Sequence, residues 1–116
     1  MHWFFLKRSY AMSPYGNIPF EVFIMTDQIF RIIDKIFIEA FDDGALVLRL
    51  PDRNIFEFNL TALKVLELTD GTRNVLDVSK IFAETFDITT QEALIDINAL
   101  YDHLQDQKIV ERVNCL

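Results

Sequence analysis

Few side chains in this sequence of 116 residues belong to types and spacings that carry out catalysis. His2 and His103 are its two histidines, and neither has a second histidine at the spacing of a helical metal site. Asp42 and Asp43 are adjacent but lack the further oxygen ligands that a bound cation needs. Three glycines are too few for a phosphate-binding loop, and no nucleophile–base pair is visible. We therefore predict that the chain is not an enzyme and has neither a cofactor nor a metal site.

The charge and the cysteine content restrict the possible binding partners and the cellular compartment of the protein. The formal net charge is −7 and the pI is about 4.6, so the phosphates of a nucleic acid would be repelled. Cys115 is the single cysteine and cannot form an internal disulfide. No secretory signal is visible, and the window from residue 18 to 41 contains too many charged residues to span a membrane. We expect a cytoplasmic protein that binds neither nucleic acid nor membrane.

The first residues follow no clear periodicity. Residues 1–26 are aromatic, and Pro14 and Pro19 interrupt any helix there. We predict an N-terminal appendage that is either poorly ordered or the result of an upstream start codon, with Met25 as the true first residue. Residues 27–116 are predicted to form the single folded domain.

Three short strands are predicted within this domain, at residues 35–41, 45–50 and 55–58, because β-branched and aromatic residues alternate or cluster there. Asp42-Asp43-Gly44 is predicted to form the first turn, with a positive φ at Gly44. Residues 51–54 are predicted to form the second turn. Turns this short join antiparallel neighbours, so the strands form a meander with the third strand at an edge.

Three helices are predicted to follow. Asn59 or Thr61 caps the first helix (residues 61–69), and Gly71 ends it. Asn74 caps the second helix, and Thr89 with Glu92 forms a capping box for the third, at about residues 90–107. Residues 109–113 are predicted to be extended. The outline is an α+β, winged-helix-like fold in which a three-stranded antiparallel β-meander is followed by a three-helix bundle.

An open strand edge can accept an extended peptide. We predict that main-chain groups of residues 54–58 would pair with it, while side chains of the third helix supply a wall. Leu94 has a core position as its alternative role, whereas Asn98 and Tyr101 suit a half-exposed groove. The acidic residues of that helix form either a solvated face or a wall favouring a basic peptide. The predicted binding residues are Asn54, Ile55, Phe56, Glu57, Phe58, Leu94, Ile97, Asn98 and Tyr101.

The stretch FNLTALKVLELTDG, residues 58–71, resembles the signature of the coenzyme PQQ synthesis protein D (PqqD) family, which has an asparagine after the third strand and an Asp-Gly helix stop. The resemblance continues through residues 72–78 and the Thr89 cap, and covers about residues 36–112. Leu66 stands where the family often has tryptophan, and Phe58 replaces its leucine. Both changes are apolar and affect the subfamily more than the fold.

This resemblance implies a RiPP recognition element with a three-stranded sheet packed on three helices. Such a protein is a non-catalytic peptide chaperone, which binds the leader of a ribosomally made precursor peptide beside its third strand and third helix. It then presents the peptide to a radical S-adenosylmethionine (radical SAM) maturase, here in PQQ synthesis or a related pathway. We expect a monomer or weak homodimer. The alternatives are a winged-helix DNA-binding regulator, an enzyme, and an adaptor that docks two proteins.

Overall fold

The computed structural model of the protein describes residues 10–13 and 16–113. Eight strands and four helices follow one another along these residues. They are β1 (Tyr10–Ser13), β2 (Gly16–Pro19), α1 (Phe20–Phe23), β3 (Ile29–Ile32), β4 (Ile36–Phe41), β5 (Gly44–Arg49), β6 (Asn54–Asn59), α2 (Leu60–Leu68), β7 (Asp70–Asn74), α3 (Val75–Phe86), α4 (Thr90–Asp106) and β8 (Val110–Arg112). None of the described helices is long and apolar enough to cross a membrane.

The predicted meander is confirmed. Strands β4, β5 and β6 form an antiparallel sheet in that order, with β6 at an edge. Side chains alternate between its faces, so that Val47 is fully buried while Ile55 is 66% exposed. The positive φ predicted for Gly44 is wrong. Glycine is needed there because a Cβ atom would clash with the Phe58 carbonyl oxygen of the neighbouring strand.

A second antiparallel sheet, with the strand order β7-β3-β8, was not predicted. Its strand β7 lies between α2 and α3, so the helices do not follow one another directly as the predicted bundle required. Helix α2 ends at Leu68, and the Thr69 hydroxyl donates to the Val65 carbonyl at 2.7 Å. Gly71, predicted to end this helix, instead lies inside β7 with a φ of 83°.

Local capping signals in the sequence predicted the helix starts well. The Asn59 side chain accepts a hydrogen bond from Ala62 N–H at 2.9 Å, which makes Asn59 the cap of α2. Asn74 caps α3 in the same way, and the capping box between Thr89 and Glu92 is complete. These bonds satisfy N–H groups that the first turn of a helix leaves without partners.

At β7, the Asp70 carboxylate accepts hydrogen bonds from Thr72 and Arg73 main-chain N–H groups and from the Thr72 hydroxyl. These bonds, chiefly those from Thr72, lower the pKa of Asp70 to about 2. The same carboxylate pairs with the Arg73 guanidinium at 3.0 Å. Asp70 therefore holds the turn that leads from α2 into β7.

Part of the predicted N-terminal appendage belongs to the core. Ile18, Val22 and Met25 are buried in the same cluster as Val65 and Leu104. The predicted domain boundary at residue 26 is therefore corrected, because residues 16–25 contribute these three side chains to the core, although Phe20, Phe23 and Ile24 of the same segment are exposed. Residues 1–9, with His2, and residues 114–116, with Cys115, lie outside the described residues. A start at Met25 stays a prediction.

Candidate functional site

The hydrogen-bonding register of the meander shows which main-chain groups of β6 face outward. Leu50 N–H donates to the Lys35 carbonyl at 3.0 Å, so this pair and every second pair along β4 and β5 exchange hydrogen bonds. The intervening residues of β5 bond to β6 instead. Val47 is one of them and lies opposite Phe56.

Main-chain groups of Ile55 and Glu57 therefore point away from β5. Within the described part of the chain, β6 pairs with β5 alone, so its other edge has no strand beside it. The side chains of Ile55 and Glu57 are exposed on the outer face of the sheet, while those of Phe56 and Phe58 are half-buried against the core. The edge thus presents free N–H and C=O groups at alternate residues.

A groove of about 550 Å³ runs beside this edge. Strand β6 and the start of α2 form one side, and α3 and α4 form the other. Most of its surface is apolar, and its two acidic lining residues are Glu57 and Asp96. The lining residues are Glu57, Phe58, Asn59, Thr61, Ala62, Phe82, Phe86, Ile88, Asp96, Ile97, Leu100 and His103. An apolar concave surface with a few polar groups is typical of a binding site.

Aromatic contacts fix the shape of the groove. The rings of Phe82 and Phe86 lie 4.6 Å apart on α3. His103 stands edge-on to the Phe58 ring, with centroids 6.4 Å apart and planes at 74°. His103 is exposed and borders the groove. It connects α4 to the edge strand.

Arg49 of β5 links the other end of β6 to α4. Its guanidinium lies 5.1 Å from the centre of the Phe56 ring and donates to the Gln107 carbonyl at the end of α4. It also pairs with Asp52, and this hydrogen bond is the main cause that lowers the pKa of Asp52 and raises that of Arg49. The sheet and α4 are therefore joined near Phe56, and the groove lies towards Phe58.

The predicted edge residues and helix residues come together only in part. Glu57, Phe58 and Ile97 line the groove. The other predicted residues of the edge strand do not line the groove; they are Asn54, Ile55 and Phe56. Ile97 is nevertheless 1% exposed, so it forms the floor rather than a reachable wall.

The other predicted residues of α4 lie away from the groove. Leu94 is fully buried in the core, the alternative that the sequence left open. The half-exposed position predicted for Tyr101 is wrong: its ring stacks on Phe30 with centroids 4.4 Å apart, and its hydroxyl lies 2.7 Å from the Thr69 hydroxyl. Burial is the main cause that raises the pKa of Tyr101. Asn98 is half-buried, and its Oδ1 has no hydrogen-bond partner among the described residues.

Sequence reasoning missed several groove-facing residues of the two long helices. On α4 these are Leu100 and His103, which share one face with Asp96, a member of the acidic set that the sequence offered as a possible wall. On α3 they are Phe82 and Phe86, which lie four residues apart in an apolar pattern of ordinary appearance. Their spacing signals a shared face but cannot say whether that face meets the core or a groove.

Comparison with known proteins identifies the family. The family model for coenzyme PQQ synthesis protein D (PqqD) matches residues 44–110, more than half of the chain. The chain belongs to the PqqD family. This confirms the resemblance found in the sequence, and the matched span runs from the start of β5 to the start of β8. A search of curated proteins finds no match.

Two solved structures share the fold of this PqqD-family chain. One is TbiB1 in complex with the TbiA(beta) leader peptide, with a TM-score of 0.65 and 13% identity, covering 73% of this chain and 99% of that one. The other is lasso peptide synthetase B1 complexed with the leader peptide, with a TM-score of 0.63 and 21% identity, covering 71% of this chain and 96% of that one. Both proteins carry bound leader peptides, and the likeness establishes a common α+β architecture.

Proposed function

We propose that this PqqD-family protein binds the leader of a ribosomally made precursor peptide as an added strand along β6. The observation that carries the proposal is the open edge at Ile55 and Glu57, with an apolar groove directly beside it. An extended peptide would pair with these main-chain groups and become the fourth strand of the meander. The leader peptides bound to both structural neighbours support the same role.

The groove is needed as well as the edge. Each main-chain hydrogen bond contributes a net of about 1 kcal/mol, so a few of them give only weak affinity. Side chains of the peptide that enter the space between Phe58, Phe86 and Leu100 would bury apolar surface at about 25 cal/mol per Å². Main-chain pairing sets the direction and register of the peptide, and the groove adds affinity and selectivity.

The wider role is part of the same proposal. We propose a non-catalytic chaperone without a cofactor, which presents the bound peptide to a radical SAM maturase in the cytoplasm, in PQQ synthesis or a related pathway. Family membership supports the pathway type. The DNA-binding alternative gains no support, because the chain has a net charge of −7 and Asp96 lies on the groove side of α4. The winged-helix likeness stays a prediction.

An NMR titration tests the proposal. Isotope-labelled protein is mixed with a synthetic leader of a short peptide encoded beside the gene. We expect the amide signals of Ile55 and Glu57 to shift most, together with those of α4 from Asp96 to His103, and the two edge amides to become protected from exchange. The β7-β3-β8 sheet serves as the internal control. Shifts that are confined to that sheet or to β4 would contradict the proposal.

A further inference from the structure

The register of β6 determines how the side chains of an added peptide are distributed, and this inference rests on the proposed strand addition. Neighbouring residues on paired strands point to the same face of a sheet. A peptide residue beside Phe58 therefore points to the helix side, into the groove, and one beside Glu57 points to the outer face. These two peptide residues are consecutive in sequence whether the peptide runs parallel or antiparallel to β6.

The helix-side position calls for an apolar residue. Beside Phe58 the groove is lined by Phe82, Phe86, Ile97 and Leu100, and an apolar side chain inserted among them would bury apolar surface on both sides. The position beside Phe56 is different. Phe56 does not line the groove, and the Arg49 guanidinium lies over its ring. One apolar anchor, beside Phe58, is therefore expected.

The outer-face position has the opposite character. Glu57 lies in the same cross-strand row as Leu46 and Glu39. It also borders a second depression, of about 450 Å³, which contains Asp43. Of the described residues that line either depression, none is lysine or arginine, and Glu57, Asp43 and Asp96 form no ion pair with another described residue.

We propose that the peptide segment recognised by this protein carries an apolar residue directly next to a lysine or arginine, with the apolar side chain in the groove beside Phe58 and the cation beside Glu57. Glu57 is then a specificity-determining residue. Because it is exposed, its charge discriminates between peptides more than it adds affinity. The acidic net charge of the chain would also favour encounters with cationic peptides.

A selection experiment tests this pairing and does not require the natural peptide to be identified. The full chain is immobilised and used to select from a displayed library of random peptides of about ten residues, the length of a long strand. Glu57→Lys and Glu39→Lys are run in parallel. Glu39 is the matched control because it occupies the same row of the sheet at the opposite edge. We expect lysine or arginine next to an apolar residue in the wild-type and Glu39→Lys pools, and an acidic residue there in the Glu57→Lys pool.

Fluorescence anisotropy then measures the effect on one peptide from the wild-type pool. Replacing its basic residue by glutamate should weaken binding to the wild-type protein about three- to tenfold at low salt, as expected for an exposed charge pair that becomes repulsive. The ratio should fall towards one in Glu57→Gln, where Asp43 and Asp96 remain, and invert in Glu57→Lys. Thermal unfolding of each variant confirms that the fold is kept.

The outcomes separate this inference from the proposed function. The same basic preference in the Glu57→Lys pool, or a wild-type pool with an apolar anchor but no charge preference, would overturn the role of Glu57. Strand addition would still stand in that case if Ile55→Pro abolished binding of the selected peptides. If no selected peptide depends on β6 for binding, both the role of Glu57 and the proposed strand addition are overturned.

Discussion

The two edges of the meander differ in what lies beside them. Strand β4 is the other edge, and most of its residues are exposed, including Phe37 at 55% and Phe41 at 51%. Strand β6 has the groove of α3 and α4 next to its free main-chain groups. Main-chain groups are the same on both strands, so an open edge by itself gives pairing without selectivity. The helices beside β6 are what make one edge a candidate site.

The sharpest test of this comparison places a proline in each edge. Ile55 and Ala40 are both exposed, and the register of the meander directs the N–H of each away from β5. Ile55→Pro removes a donor from the proposed site, and the ring crowds an incoming strand. We expect the affinity for a selected peptide to fall about tenfold or more, whereas Ala40→Pro should leave it nearly unchanged.

Anisotropy titration measures both affinities, and chemical denaturation checks the folds. Proline is tolerated on an edge strand where its missing N–H faces solvent, so both variants should remain folded. Equal losses of affinity in the two variants would show that the edges are equivalent and that the helices beside β6 add nothing. A loss in Ala40→Pro alone would move the site to β4.

A smaller effect is expected from the wall of the groove. Leu100 lines it and is half-buried, while Ile95, on the same helix, is 40% exposed and lies outside it. Leu100→Ala removes apolar surface that a bound side chain would contact, so we expect peptide affinity to fall about three- to tenfold. Ile95→Ala is the control and should bind as the wild type does. If the two alanine variants bind the peptide equally well, the groove does not contribute to binding.

Some of the features behind these predictions could be predicted from the sequence, and others could not. The meander and the helix caps were predictable because short turns and capping side chains act within a few residues, as at Asn59 and Thr89. Strand β7 was not, because DGTRN has no strand-like alternation and is held by pairing with the distant β3. Long-range pairing leaves little trace in a local pattern.

The orientation of α4 also could not be predicted from the sequence. Leu94, Ile97 and Tyr101 follow helical spacing, and so do Asp96, Leu100 and His103, but spacing alone does not tell which set faces the core. The hydroxyl group of Tyr101 favours a half-exposed groove when only the sequence is considered. The structure instead supplies a buried partner, Thr69, and that partner allows the whole side chain to be buried.

The smallest effect concerns the junction between the edge and the groove. Asn59 ends β6 and caps α2, and Thr61 and Ala62, at the start of α2, line the groove. Asn59→Ala leaves the Ala62 N–H without its partner and should lower the free energy of unfolding by about 1 kcal/mol. Asn54 lies at the other end of β6. The hydrogen bond described for its side chain is one that it donates to the exposed Asp52 carboxylate at 3.1 Å. Asn54→Ala should therefore lower the free energy of unfolding by less than about 0.5 kcal/mol. Urea denaturation of both variants compares the two ends of β6. If they lose the same stability, the cap does not hold α2 against the edge, and the preorganisation that distinguishes β6 from β4 must come from α3 and α4 alone.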